Sequence, residues 1–327
     1  MTARRTPMLA ALLLLSGCIL YAPVDLGSLG SAGKLVETVV MGESGPKIAM
    51  IDVSGVISDE PDRDGLRFAE RPGMVVEVRN ALDRAAEDEE VVGVLLRINT
   101  PGGSVSASDT LHHEIEVFRT DGARPVVAFL NGLATSGGYY VAMASDRVIA
   151  HPASVTGSIG VVMPGLSLEG LMEKYGVTDQ TLKSGPFKDS GSMFRDMNPE
   201  ERAQLQGVID DLFVRFQDVV VKGRPALSRE KIAALSDGRV YSAKQALDSG
   251  LVDQLGYLED AVAELEKRAG ITKSRVIVYH RANQTKENIY SRAPNISVQV
   301  TDVNLLPIRR SALSPGFYYL WEGALAP

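Results

Sequence analysis

The feature that most constrains this chain is Val91–Ile98, VVGVLLRI, a β-rich run with almost no polar alternation. A strand with one wet face alternates apolar and polar residues. A run that stays apolar has to be covered on both faces, as in a parallel sheet flanked by helices. Ile48–Val53 and Pro125–Leu130 read the same way. Between them, Met74–Ala86 places Val75, Val78, Leu82 and Ala85 on one helical face, and Val105–Phe118 turns Leu111, Ile115 and Phe118 inward. Gly137–Ser145 reads as a helix, and Arg147–Ala150 and Ser158–Val162 as strands. Repeated β-α alternation predicts a parallel-sheet α/β fold.

Asn198-Pro199-Glu200-Glu201 is a helix start: Asn198 caps, Pro199 suits the first turn, and Glu201 is expected to complete a capping box. Leu205, Val208, Ile209, Leu212, Phe213, Phe216 and Val219 follow as one apolar stripe, which predicts core or a subunit interface. Lys222-Gly223 suits its end. Shorter helices are expected near Ser242–Ser249 and Tyr257–Ala269. No internal repeat is evident, so one catalytic domain is expected over residues 46–282. The stretch 283–327 reads as a tail whose aromatic cluster, Phe317–Trp321, docks on the rest or enters the substrate groove.

The first 18 residues read as an export signal. Arg4 and Arg5 precede an apolar stretch, Met8–Leu15, and then small residues, Ser16 and Gly17. Leu15-Ser16-Gly17-Cys18 resembles a bacterial lipobox, in which the cysteine is acylated and becomes the new N-terminus. The apolar run is short for a spanning helix, which needs about 20 residues. Residues 1–18 are therefore expected to be a lipoprotein signal peptide with Cys18 as the lipidation site. Residues 19–45, rich in Gly and Ser, are expected to be a tether. The expected location is a membrane-anchored, periplasmic or extracytoplasmic face.

Composition removes several function classes. The formal charge is -7, which gives no electrostatic reason to bind nucleic acid. One cysteine leaves no internal disulfide and no cysteine-rich metal site. The histidines, His112, His113, His151 and His280, are scattered without an HExxH pattern. No metal and no organic cofactor is expected, and a Ser-His-Asp triad has few candidates.

Three loops carry candidate chemistry at positions where α/β sites form. Asn99–Ser104 follows the first long strand, and its Gly102-Gly103 pair lets backbone N–H groups approach a ligand or simply makes a turn. Asn131–Tyr140 places Ser136 at a helix N-terminus, where free N–H donors stabilise an oxyanion. There Ser136 is either an N-cap or a nucleophile. Lys183–Asp189, KSGPFKD, offers Lys183 and Lys188 as bases. A lysine ionises near 10.4 in water, and a ~3-unit lowering takes roughly 4 kcal/mol of differential solvation, so a basic lysine needs a dry pocket.

Thr100–Ser104, Ala134–Tyr140, Thr156-Gly157-Ser158-Ile159-Gly160-Val161, Lys183–Asp189, Gly238–Ala246 and Gly250–Asp253 follow one another in an order and spacing that resembles the signal peptide peptidase A family, short form. The resemblance covers about residues 46–282. It implies a Clp-protease/crotonase-like repeated β-β-α spiral fold. It implies Ser136 as nucleophile, Lys188 rather than Lys183 as general base, and Ser158 orienting the lysine. Backbone amides of Gly103 and Gly137 are implied as the oxyanion hole. It also implies a ring-shaped homo-oligomer, with serine and lysine of one site drawn from neighbouring chains, and signal-peptide remnants and other apolar peptides as substrates. Thr135 has no assigned role. Three rivals stand beside this reading: a peptidase of one specific membrane partner, a crotonase-like acyl-CoA enzyme, and a lipoprotein scaffold without activity.

Overall fold

The computed structural model of the chain describes residues 35–61, 72–281, 286–291 and 316–325. The signal peptide over residues 1–18 and Cys18 lie outside the described residues.

The elements run in chain order as β1 (Leu35–Met41), β2 (Lys47–Ser54), α1 (Met74–Glu87), β3 (Val91–Thr100), β4 (Gly102–Ser104), α2 (Val105–Asp121), β5 (Val126–Thr135), α3 (Gly137–Ala142), β6 (Arg147–Ala150) and β7 (Val155–Gly157). They continue as α4 (Glu169–Lys174), α5 (Pro199–Gly223), α6 (Arg229–Leu235), β8 (Val240–Ser242), α7 (Ala243–Ser249), β9 (Gln254–Leu255), α8 (Leu258–Ala269), β10 (Arg275–Arg281) and β11 (Tyr318–Leu320). The main sheet has the order β1-β10-β2-β3-β5-β6-β9, with β7 pairing β5 and β8. From β10 to β9 every neighbouring pair is parallel. The expected α/β class with a largely parallel sheet is present.

The unbroken apolar runs have the predicted cause. Val94, Leu96, Ile98, Ala128 and Leu130 point to one side, where α1 and α2 supply Val78, Leu82, Leu111 and Ile115. Leu95, Val127, Phe129 and Ile149 point to the other, where α8 supplies Leu258, Val262 and Leu265. With both faces dry, each buried Leu, Ile or Phe contributes roughly 1.5–3 kcal/mol.

Four expectations change. Residues 19–45 are not a plain tether, because β1 lies within them and pairs antiparallel with β10 from Leu35↔Arg281 onward. The β-branched Val36, Thr38, Val39 and Val40 suit an edge strand better than a linker. Ser158–Val162 is not a strand. Gly157 and Ser158 both take positive φ, 85° and 50°, which turns the chain out of the sheet after β7. Only Val162 bridges again, to Tyr318. Asn198 caps α5 as expected, accepting from the Glu201 amide at 2.8 Å. Glu201 does not close a capping box, because its carboxylate accepts from Gly191 N–H and from Arg195 instead. Finally, the α5 stripe divides. Phe216 and Val220 are buried, while Leu205, Val208, Ile209, Leu212 and Phe213 are only half-covered.

Candidate active site

The candidate loops converge where β3, β5 and β7 end. Thr100 pairs with Ala134, and Thr135 pairs with Gly157. This register sets the Gly-Gly segment, Ser136 and Ser158 side by side.

Ser136 stands at the junction of β5 and α3 with φ 52° and ψ -113°, a region that costs a non-glycine residue of order 1–3 kcal/mol. Its amide donates to Gly157 O at 2.7 Å, and its own carbonyl accepts from Tyr140 N–H at 2.9 Å. The side chain is not an N-cap: Oγ is buried and has no hydrogen-bond partner among the described residues. A hydroxyl in that state is available to a reacting group, and backbone strain clustered at one residue marks a functional position. Thr135, just before it, is also buried, and its Oγ1 has no hydrogen-bond partner among the described residues. Ser158 is buried, with positive φ and an amide that donates to Arg239 O at 2.8 Å.

The Gly-Gly segment is a short strand, β4, held from one side by the chain at Ile57. Ile57 N–H donates to Gly102 O at 2.9 Å, and Ser104 N–H to Ile57 O at 3.0 Å. A Cβ on Gly103 would meet Ile57 O at 1.9 Å, so only glycine permits this approach. Thr100 Oγ1 accepts from Gly102 N–H at 3.0 Å and fixes the turn. Asn99 Oδ1 accepts from Leu133 N–H at 3.1 Å and ties the first loop to the second. Ile57 and Asn99 were not singled out from sequence, since nothing in their local pattern shows which distant loop they brace. The loops that carry the predicted oxyanion donors Gly103 and Gly137 lie against each other. A Cβ on Gly102 would lie 2.8 Å from Gly137 N.

Behind Ser136 the site is aromatic. Tyr139 and Tyr140 are fully buried, and Tyr140 stacks edge-on with Phe216 at 5.0 Å and with His112 at 5.3 Å. Tyr140 OH donates to Asp109 Oδ1 at 2.5 Å, and Arg215 clasps the same carboxylate at 2.7 Å. Burial pulls His112 down to about 4, so it is a neutral packing residue. His113 is exposed, His151 lies against Tyr257 and Phe129, and His280 Nε2 lies 2.8 Å from Thr38 Oγ1. The described residues contain no cluster of three metal-ligating side chains.

The lysine loop behaves differently. Lys183 Nζ donates to both Asp189 oxygens, at 2.8 and 3.0 Å. Arg195 grips Asp189 and Glu201 together, and beside Arg195 and Lys183 the Asp189 carboxyl falls well below the usual carboxylate range. Lys183 is thus committed to an ion pair. Lys188 has no ion-pair partner among the described residues and is exposed. One chain alone does not provide the dry pocket its expected role demands. Around it the segment exposes Leu166, Leu171, Val177, Leu182, Phe187 and Phe194, with Leu182 at 99%.

The profile of peptidase family S49 matches residues 119–272. A protein named "Putative signal peptide peptidase SppA" from Enterococcus faecium is 39% identical over 243 residues, covering 74% of this chain and 70% of that protein. A protein named "Putative protease slr0021" from Synechocystis is 38% identical across 70% of this chain and 77% of its own length. Protease 4 of Salmonella typhi is 32% identical across 72% of this chain, which spans only 37% of that longer protein. The family match spans the loops after β5 and β7 and the lysine loop, and the first of these holds the strained serine. The chain belongs to peptidase family S49 and is a serine peptidase of the SppA/protease 4 family.

Proposed function

We propose that the chain is a membrane-anchored endopeptidase that degrades cleaved signal peptides and other apolar peptides with a Ser136–Lys188 dyad. The observation that carries this reading is Ser136 itself, strained, buried and with its Oγ unpartnered at the N-terminus of α3. Lys188 takes the hydroxyl proton, Oγ attacks the peptide carbonyl carbon, and the Gly103 and Gly137 amides hold the developing negative charge. Such donors are each worth about 10²–10³-fold. The C–N bond then breaks, the proton passes to the leaving amine, and water hydrolyses the acyl ester to restore the serine. Ser158 orients the amine.

A lysine in bulk water keeps its proton near neutral pH. The reading therefore requires a second copy to cover Lys188, within a ring-shaped homo-oligomer. The half-covered stripe on α5 and the exposed apolar side chains of residues 164–196 support such an interface. Acylation at Cys18 would hold the ring at an extracytoplasmic membrane surface. Among the described residues no helix is long and apolar enough to cross a membrane. The name carried by the Enterococcus faecium relative supports signal peptides as substrates.

An activated serine probe tests the assignment. It is expected to label the wild-type chain at Ser136 and to leave Ser136→Ala unlabelled, while Ser136→Ala and Lys188→Ala each lose hydrolysis of apolar peptides with the fold intact. Rings mixed from the two variants are expected to regain activity. Full hydrolysis by a well-folded Lys188→Ala protein overturns the base assignment.

A further inference from the structure

Lys188 stands in a stretch that apolar packing does not hold. Between the end of α4 at Lys174 and the start of α5 at Pro199, the described residues 175–198 form neither helix nor strand. No residue from 160 to 200 is buried. Burial of apolar area, which fixes the rest of the fold, therefore contributes little to where the Lys188 backbone lies. The first buried residue after that stretch is a carboxylate, Glu201, in the first turn of α5.

Glu201 serves that stretch. Its Oε1 accepts from Gly191 N–H at 2.8 Å, and its Oε2 accepts from Arg195 Nη1 at 2.8 Å. Arg195 turns the rest of its guanidinium to Asp189, the neighbour of Lys188 in sequence. Nε donates to Oδ2 at 3.0 Å and Nη2 to Oδ1 at 2.8 Å, and Nη2 also reaches the Asp189 carbonyl at 3.3 Å. A forked grip of this kind fixes the plane of a carboxylate as well as its position, which an ammonium does not do. The backbone on both sides of Lys188 is tied into turns. Lys188 N–H donates to Gly185 O at 3.2 Å, Ser190 N–H to Phe187 O at 3.2 Å and Ser192 N–H to Asp189 O at 3.0 Å. Lys183 adds a second cation to Asp189, but its side chain is 34% exposed, and Arg195 holds the carboxylate without it.

Stability alone is a poor account of this network. Taking a carboxylate out of water is costly, and an apolar side chain of the same size at the Glu201 position would often stabilise a fold as well or better. An apolar side chain would not select one orientation for Asp189. Buried charge pairs are retained in some proteins because they specify one geometry, and the geometry specified here is that of the peptide unit beside Lys188.

We propose that Arg195 is a positioning residue for the reaction: by gripping Asp189 and Glu201 together, it sets Lys188 Nζ where it takes the Ser136 proton. The inference rests on the reading of Lys188 as the base. A base has to lie within hydrogen-bond reach of the proton it removes, about 2.6–3.2 Å, and a displacement of about 1 Å lowers a rate by roughly a hundredfold. No bond is made or broken at Arg195.

The test uses the full chain in two arms. The first does not depend on catalysis. Hydrogen exchange at the Lys188, Ser190, Gly191 and Ser192 amides is compared between the unsubstituted chain and Arg195→Ala, with the amides of α8 as the reference for global stability. Exchange in the lysine loop is expected to be at least about tenfold faster, beyond any change in α8. An equal change in both regions overturns the grip. The second arm is kinetic and uses Arg195→Ala shown to be folded by circular dichroism. The loss is expected in kcat, by at least about tenfold, with KM little changed. Millimolar guanidinium is expected to restore part of it, methylammonium is not, and neither is expected to help Lys188→Ala. Asp189→Ala is expected to match Arg195→Ala, and the double variant to be no worse than either, because both remove one grip. Additive losses, no recovery with guanidinium, or full activity in folded Arg195→Ala overturn the inference and leave the base assignment standing. Full hydrolysis by Lys188→Ala overturns the base assignment, and the inference with it. Should Arg195→Ala fail to fold, Arg195→Lys keeps a cation beside Glu201 and loses the fork. It is then expected to show the same faster loop exchange and the same loss in kcat, and unchanged values of both overturn the inference.

Discussion

The amide of Ser136 donates to the carbonyl of Gly157 at 2.7 Å, and this bond joins the start of the loop after β5 to the end of β7 at a residue whose own backbone is strained. Gly157 holds φ 85°, and a Cβ there would sit 2.5 Å from the Tyr241 ring. Gly157→Ala meets both a disfavoured backbone and a clash. It is expected to destabilise the fold by about 1–3 kcal/mol and to lower peptide hydrolysis by more than tenfold, measured by urea unfolding and by steady-state kinetics. Activity lost in proportion to unfolded protein alone would show that the bond does not position Ser136.

The two lysines of the 183–189 loop separate cleanly. Lys183 is paired to Asp189 near the surface, and such pairs contribute about 0–1 kcal/mol. Lys183→Ala is expected to keep within a few-fold of full peptidase activity and to shift Tm by no more than a few degrees. Loss of activity from Lys183→Ala, with Lys188→Ala active, would exchange their roles.

Arg195 is the hinge of the ion network that anchors this loop to the start of α5. It bonds Asp189 and Glu201 at once, and Glu201 is closed to solvent at 1% exposure. Arg195→Ala leaves that carboxylate without its charged partner, with the Gly191 amide still donating to it. The Arg195 side chain is itself 21% exposed, so the pair is only partly desolvated and the expected loss lies at or just below the low end of the buried-pair range, about 2–3 kcal/mol. Adding Glu201→Gln should recover part of it, as read by chemical denaturation of the single and double variants.

Stability should also depend on His112. Its pKa falls from 6.5 to about 4 in the fold, chiefly through burial, with Glu116 and Asp109 opposing that effect. Between these values the unfolded chain binds a proton that the folded chain refuses. Stability is therefore fully present above about 6.5, declines as the pH drops, and levels off below about 4, a difference of roughly 3 kcal/mol. Replacing His112 with Phe, which keeps a ring against Tyr140, is expected to flatten that part of the Tm–pH curve.

Much of this architecture was legible in the residues. The apolar runs of β3 and β5 required cover on both faces, and Leu96 and Leu95 indeed face opposite helical layers. Asn198-Pro199 marked the start of α5 to the residue, because capping is a local hydrogen bond between neighbours in sequence. The loops bearing Gly103, Ser136 and Ser158 were found because glycine and helix-start chemistry are local too. The strand in residues 35–41 was missed, because a short edge strand declares itself only through a partner at the far end of the domain, Leu35 opposite Arg281.

What the sequence determined, then, is whatever depends on periodicity and on near neighbours: the layers, the helix ends and the identity of the loops. Tertiary structure alone decided that Glu201 serves Arg195 rather than its own cap, that Lys183 is spent on Asp189, and that Tyr319 lies against Gly103 between two backbone edges. The Tyr319–Gly103 contact joins residues distant in the chain, and the other two join residues six positions apart across an irregular loop. Their energies come from burial and from paired charges whose partners no local pattern names.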